Sequence, residues 1–234
     1  MLDTYKFIEK YKRISIIGME KNVGKTTLLN KLITDIGKTK KLGLTSIGRD
    51  GEDIDVVTNT DKPRIYVRKG SIIATGRNCL AKCDITKEIL YVTDFTTPMG
   101  SIVLVRALSD GYVDIAGPSY NKQVKIVVEL MEKFGSEISI VDGALGRKST
   151  AISDVSEATI LSTGAALSLD MLKVVEETKK TVYFLRLKEI DKNIKEKIKE
   201  FKDEKAVLFY KNGEVAILEV SNSIDLSNIL KEYL

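Results

Sequence analysis

The apolar positions of this chain change period several times. Ile14, Ile16 and Ile17 form a β-branched run ending at Gly18, after which Leu28, Leu29 and Leu32 recur with helical spacing. That order predicts a buried strand, a loop and a helix to about Ile36, preceded by an amphipathic start over residues 3–11. A second strand is predicted at KLGLTSI, residues 41–47, opening into the glycine- and acid-rich GRDGEDID. From about 63 to 117 the pattern becomes one of short strands: RIYV, SIIAT, EILYVTD, SIVLVRAL and YVDIAG. They are broken at Lys69-Gly70, Thr97-Pro98, Asp110-Gly111 and Gly117-Pro118. Pieces so closely spaced suit hairpins better than crossover units, which predicts an antiparallel insertion.

Strand and helix then alternate again. A helix over about 119–134 leads to the strand EISIVDG, a strand at ATILSTG, a helix over 166–180 and a strand at TVYFLRL. A charged helix over 191–202 follows, then KAVLFY and EVAILEV joined by a hairpin turn at Lys211-Asn212-Gly213-Glu214, and a final amphipathic helix. The whole predicts one α/β domain over 1–234, with a mostly parallel sheet and a central antiparallel β insertion at about 63–117.

The candidate chemistry begins at the tip of the first strand. Gly18 through Thr27 reads GMEKNVGKTT, a glycine-bounded loop that runs into a helix at Gly24-Lys25-Thr26. Backbone N–H groups of such a loop, helped by the positive end of the helix, converge on an anion. This arrangement binds nucleotide phosphates, with Gly18, Lys21, Asn22, Val23, Gly24, Lys25, Thr26 and Thr27 as the binding residues. Lys25 would reach the β- and γ-phosphates and the Thr26 hydroxyl would help hold Mg²⁺. Thr27 is the weaker contact, and Lys21 either adds charge at the phosphates or is simply solvated. The usual spacing places the first glycine at position 19, which here is Met19.

Two acidic segments extend the picture. Ile138, Ile140 and Val141 make a buried strand ending at Asp142, where an acid beside a phosphate loop holds Mg²⁺ or its water. The competing reading is an aspartate that starts a turn before Gly143. The following GALGRKST carries Arg147 and Lys148 on what would be the same rim. Residues just after the second strand of a parallel sheet face the same crevice, so Asp50, Glu52, Asp53 and Asp55 are candidates, with Gly48 and Gly51 giving room. Asp50 is chosen to orient water and Asp53 to complete the metal shell, against the alternative of a solvated acidic loop.

Composition narrows the chemistry. The 234 residues are 43% hydrophobic and 30% charged with a net charge of +4 and no dense basic tract, so nothing implies nucleic-acid binding. No apolar stretch is long enough to span a bilayer, and the N-terminal residues lack the apolar core of a secretory signal. Cytoplasmic residence is the expectation. The sequence contains no histidine, so catalysis must rest on carboxylates, lysine, arginine and metal. Cys79 and Cys83, four apart, read as half-buried thiols on one helical face rather than as part of a metal site.

GMEKNVGKTT is similar in length and register to the phosphate loop of the dethiobiotin synthetases, and VDGALG resembles their later glycine-rich strand end. The resemblance implies a P-loop NTPase fold. Their lysine-proline element after the second strand is replaced here by Thr45-Ser46-Ile47-Gly48-Arg49, so it does not imply their substrate. A likeness spread over more of the chain is to the smaller subunit of the lysine 5,6-aminomutase reactivating factor, carried by GMEKNVGKTTLLN, LTSIGRDGEDIDVVT, KPRIYV, ALSDGYVDIAGPS, IVDGALGRKS and EATILSTGAALS. That resemblance implies an ATP-using partner of a larger ATPase subunit, acting on a cobalamin-dependent aminomutase. Three classes stay open: an ATP-hydrolysing reactivase subunit, a small-molecule ligase or kinase of dethiobiotin synthetase type, and a non-hydrolysing nucleotide-binding adaptor. GTP is disfavoured by the lack of a visible Asn-Lys-x-Asp element.

Overall fold

The computed structural model describes residues 8–48, 54–55, 60–61, 64–143, 155–186, 190–204, 206–210 and 212–218. The chain divides into two compact units, Met1–Leu185 and Arg186–Leu234, where the sequence suggests one domain. In the first unit the elements run β1 (Arg13–Gly18), α1 (Lys25–Ile36), β2 (Leu42–Ser46), β3 (Ile54–Asp55), β4 (Thr60–Asp61), β5 (Ile65–Val67) and β6 (Ile72–Gly76). They continue with α2 (Arg77–Leu80), β7 (Lys87–Thr97), β8 (Gly100–Ala107), β9 (Gly111–Val113), α3 (Asn121–Lys133), β10 (Ile138–Asp142), β11 (Ala158–Ser162) and α4 (Met171–Leu185).

Seven strands form one sheet in the order β11-β1-β10-β2-β6-β8-β7. The pairs β1–β11, β1–β10, β10–β2 and β2–β6 are parallel, while β6–β8 and β7–β8 are antiparallel. The first unit is therefore α/β with a mostly parallel sheet. Its central strands are buried along their whole length because a layer covers each face. On one face α1 presents Leu29, Leu32, Ile33 and Ile36 to Ile14, Ile16, Leu42, Leu44 and Ile140. On the other, α3 presents Val124, Val127, Val128 and Met131 to Ile72, Ala74, Ile102, Leu104 and Val141. The i, i+3, i+4, i+7 spacing on both helices is the reason they pack, each buried side chain contributing about 1.5–3 kcal/mol. A bidentate pair, Arg13 Nε and Nη2 to Glu132 at 2.7 Å each, ties the start of β1 to the end of α3.

One expectation is refined and one corrected. The strands of 63–117 pair antiparallel with one another as expected, but β6, β8 and β7 do so as an extension of the main sheet, in which SIIAT, as β6, lies parallel to β2. Only β5 and β9 pair apart from it, as a two-stranded ladder. The segment TVYFLRL is not a strand, since α4 runs on to Leu185. Its β-branched and aromatic residues favour a strand, but Val174, Thr178, Thr181 and Leu185 line the covered side of one helix at spacings of four, three and four.

In the second unit, α5 (Lys192–Ile198) starts at Asp191, whose side chain accepts the Asn193 N–H at 2.8 Å. β12 (Val207–Phe209) and β13 (Val215–Ile217) pair antiparallel, and the turn between them has Gly213 at φ 90°. The final amphipathic helix and the start over residues 3–7 lie outside the described residues.

A strap crosses the C-terminal ends of β2 and β6. Gly117 N–H donates to Ser46 Oγ at 2.9 Å, Ala116 N–H donates to Thr75 Oγ1 at 2.9 Å, and Gly76 N–H donates to the Ala116 carbonyl at 2.9 Å. A Cβ at Gly117 would stand 1.9 Å from the Ser46 carbonyl oxygen and 2.6 Å from Thr45 Oγ1. Gly117→Ala is expected to lower stability by about 2 kcal/mol or more in chemical denaturation. Gly164→Ala, where an added Cβ meets nothing within 4 Å, is the matched control and should change stability by about 0.5 kcal/mol or less.

Candidate functional site

The site is built where β1 hands over to α1. Gly24 takes the left-handed conformation at φ 87° immediately before the helix, and Asn22 does so at φ 60°. Added bulk at Gly24 would meet nothing within 4 Å, so its glycine answers to conformation alone. Gly18 answers to space. A Cβ there would lie 2.7 Å from Val23 Cγ2 and 2.9 Å from Cγ and Cδ of Lys25, so the lysine stem folds back over the strand tip.

The loop's backbone donors divide sharply. Met19 N–H donates to the Ser162 carbonyl of β11 at 2.8 Å, and Lys21 N–H donates to Glu20 Oε1 at 2.9 Å. From Asn22 to Thr27 no amide has a hydrogen-bond partner among the described residues, and no side chain caps α1. A helix N-terminus leaves its first N–H groups free in any case, and the left-handed turn adds those of the loop. The result is a row of consecutive donors at the positive end of a helix, a setting that favours an anion. Thr26 is half-buried, while Lys21, Asn22 and Thr27 are exposed.

Asp142 stands on the neighbouring strand. The register sets it opposite Ile16 of β1 on one side and Ser46 of β2 on the other. Its carbonyl accepts the Ile47 N–H, and Gly143 N–H donates to Ile16 O at 2.9 Å, so the strand tips are laced together. The carboxylate is a different matter: Oδ1 is shut off from solvent and has no hydrogen-bond partner among the described residues. Burial pushes the Asp142 carboxyl up to about 6, and the charge of Lys25 pulls it part of the way back.

A magnesium ion suits this donor set. Mg²⁺ is commonly held by one or two protein oxygens and takes its other positions from phosphates and water, and the orphaned Asp142 oxygen is of the kind that could serve as one such ligand. The Thr26 hydroxyl at the second residue of α1 could serve as another. Among the described residues no cluster of three or more His, Cys, Asp or Glu could hold a metal by itself. Of the residues expected from sequence, Gly18, Lys21 through Thr27 and Asp142 come together around the β1 tip or on the adjacent strand. Asp50, Asp53, Arg147 and Lys148 lie outside the described residues.

The sequence reading missed the 114–118 strap as a part of this end of the sheet. Gly48, the last described residue before the acidic segment, donates its N–H to the Pro118 carbonyl at 2.9 Å. The local signal, Gly117-Pro118 after an apolar run, marks only a chain break. The two cysteines do not share a regular helical face: α2 ends at Leu80, Cys79 is buried, and Cys83 Sγ donates to the Cys79 carbonyl at 3.2 Å. Burial raises the Cys83 thiol.

Neither a family model nor a curated protein or solved structure matches the chain. No helix among the described residues is long and apolar enough to cross a membrane.

The buried carboxylate has a stability consequence. An acid whose folded value lies above its unfolded one stabilises the fold below the unfolded value and loses that contribution as pH rises through about 6. Asp142→Asn is therefore expected to be more stable than the parent protein above pH 6, by up to about 3 kcal/mol, with the gap closing toward pH 4. Denaturation midpoints across that range measure it.

Proposed function

We propose that this chain binds ATP with Mg²⁺ and hydrolyses it on a P-loop NTPase fold, as a subunit of an ATP-dependent reactivating factor for a cobalamin-dependent aminomutase. The observation that carries the nucleotide part is the row of amides from Asn22 to Thr27 without partners among the described residues, with the Lys25 stem laid over Gly18 and an unpartnered carboxylate oxygen at the tip of the adjacent strand. The likeness of the six quoted sequence strings to the smaller reactivating-factor subunit supports the rest.

The residues divide the work by chemistry. The amides of Asn22 through Thr27 hold phosphate oxygens without any change of side chain. Lys25 supplies the counter-charge at the β- and γ-phosphates, and its contact with Gly18 limits the directions in which it can reach. Thr26 and Asp142 would hold the metal through a hydroxyl and a carboxylate, and the chemistry it would supply there is neutralisation of charge on the phosphate oxygens. A cation beside Asp142 favours its ionised form, so metal binding and loss of the carboxyl proton are coupled. Loss of the terminal phosphate removes what the loop and the carboxylate jointly hold, and the rim beside them would register the change.

Titration calorimetry with Mg-ATP is expected to give saturable binding for the parent, weakened about tenfold to a hundredfold in Lys25→Ala. Equal binding by parent and Lys25→Ala, or none by the parent, overturns the nucleotide site. Phosphate release should be slow for the chain alone and accelerated by a larger ATPase subunit or a cobalamin enzyme. Acceleration by a low-molecular-weight metabolite would indicate a ligase or kinase, and binding without turnover an adaptor.

A further inference from the structure

One hydroxyl stands beside Asp142 and is turned elsewhere. β10 and β2 are parallel and in unbroken register from Ile138 opposite Leu42 to Asp142 opposite Ser46. Ile138, Ile140, Leu42 and Leu44 belong to the core on the α1 side, and Val141 to the core on the α3 side. Alternation therefore puts Asp142 and Ser46 on the α1 face, side by side on strands about 4.8 Å apart. Asp142 Oδ1 has no donor among the described residues, while the Ser46 hydroxyl is engaged with the strap. It accepts the Gly117 N–H at 2.9 Å and donates to the Ile115 carbonyl at 3.4 Å.

We propose that Ser46 is a positioning residue whose hydroxyl the strap holds away from Asp142, so that the carboxylate stays open to a cation. The inference rests on the reading of Asp142 as a metal ligand. A serine hydroxyl changes direction by rotation between staggered positions, and a carboxylate is a stronger acceptor than the carbonyl that Ser46 now meets at 3.4 Å. What keeps it turned is the cost of leaving: Ser46 is 8% exposed, and the buried Gly117 N–H would lose its partner.

The strap is anchored at a second place. Thr75 Oγ1 accepts the Ala116 N–H at 2.9 Å and donates to the Asp114 carbonyl at 3.0 Å. Ile115 adds its side chain to the α1-side core. If the strap lifts, the Ser46 hydroxyl is released to donate to Asp142, and that charge-assisted bond competes with a metal ion for the same carboxylate.

Binding of Mn²⁺ to the full chain tests this, followed by electron paramagnetic resonance with a non-hydrolysable ATP analogue present. Calorimetry with the analogue alone reports the nucleotide site separately. Thr75→Val keeps the side chain's shape and removes the second anchor, and Gly117→Ala places a Cβ 1.9 Å from the Ser46 carbonyl oxygen. Each should weaken Mn²⁺ binding about fivefold to tenfold, while Ser46→Ala binds Mn²⁺ like the parent. Adding Ser46→Ala to either strap variant should restore parental binding, a recovery that a general loss of stability would not give. Circular dichroism checks folding, and Thr75→Val carries the test if Gly117→Ala does not fold. Strap variants that bind Mn²⁺ like the parent, double variants as weak as the single ones, or Ser46→Ala as weak as the strap variants would each overturn the proposal. So would a parent that binds the analogue and no Mn²⁺. In those four cases binding of the analogue leaves the nucleotide site standing, whereas a parent that binds neither overturns both.

Discussion

A carboxylate oxygen withheld from both water and hydrogen-bond donors is the constraint around which this end of the molecule is arranged. Asp142 sits between two parallel neighbours, its backbone engaged on both sides and one side-chain oxygen left without a partner. A buried unpaired charge is costly, and proteins keep one where a cation or a proton transfer makes use of it. Lys25 relieves part of that cost from the start of α1. The sheet holds the two residues near each other because β1 and β10 are adjacent and in parallel register.

That adjacency follows from burial. β1, β10 and β2 read as near-continuous apolar runs because α1 and α3 cover opposite faces, and parallel strands with both faces covered have no polar side. All their C-terminal ends then open in one direction, where the glycine loop, Asp142 and the entrance to the acidic segment meet. The Gly117 strap closes the tips of β2 and β6.

The loop and Asp142 were legible because their signals are local. A β-branched run, a glycine, a Gly-Lys-Thr and a leucine-bearing helix lie within one crossover, and an apolar strand ending in an acid needs no knowledge of its partners. Partner choice was what local pattern could not carry. SIIAT, flanked by turns, looks like half of a hairpin, yet its uninterrupted burial marks a strand of the sheet interior beside β2. TVYFLRL shows the converse, where residue preference for a strand yields to a helix face already established at Val174 and Thr178. The strap was invisible because its contact joins positions 71 residues apart and depends on glycine being absent of bulk against a distant carbonyl.

Met19 carries one more consequence. Its side chain is buried and its amide is committed to the Ser162 carbonyl, so the residue fastens the crossover to the edge strand and takes no part in the free amide row that begins at Asn22. Donors supplied by the main chain from Asn22 onward do not depend on the side chain at position 19, which leaves Met19 to serve packing.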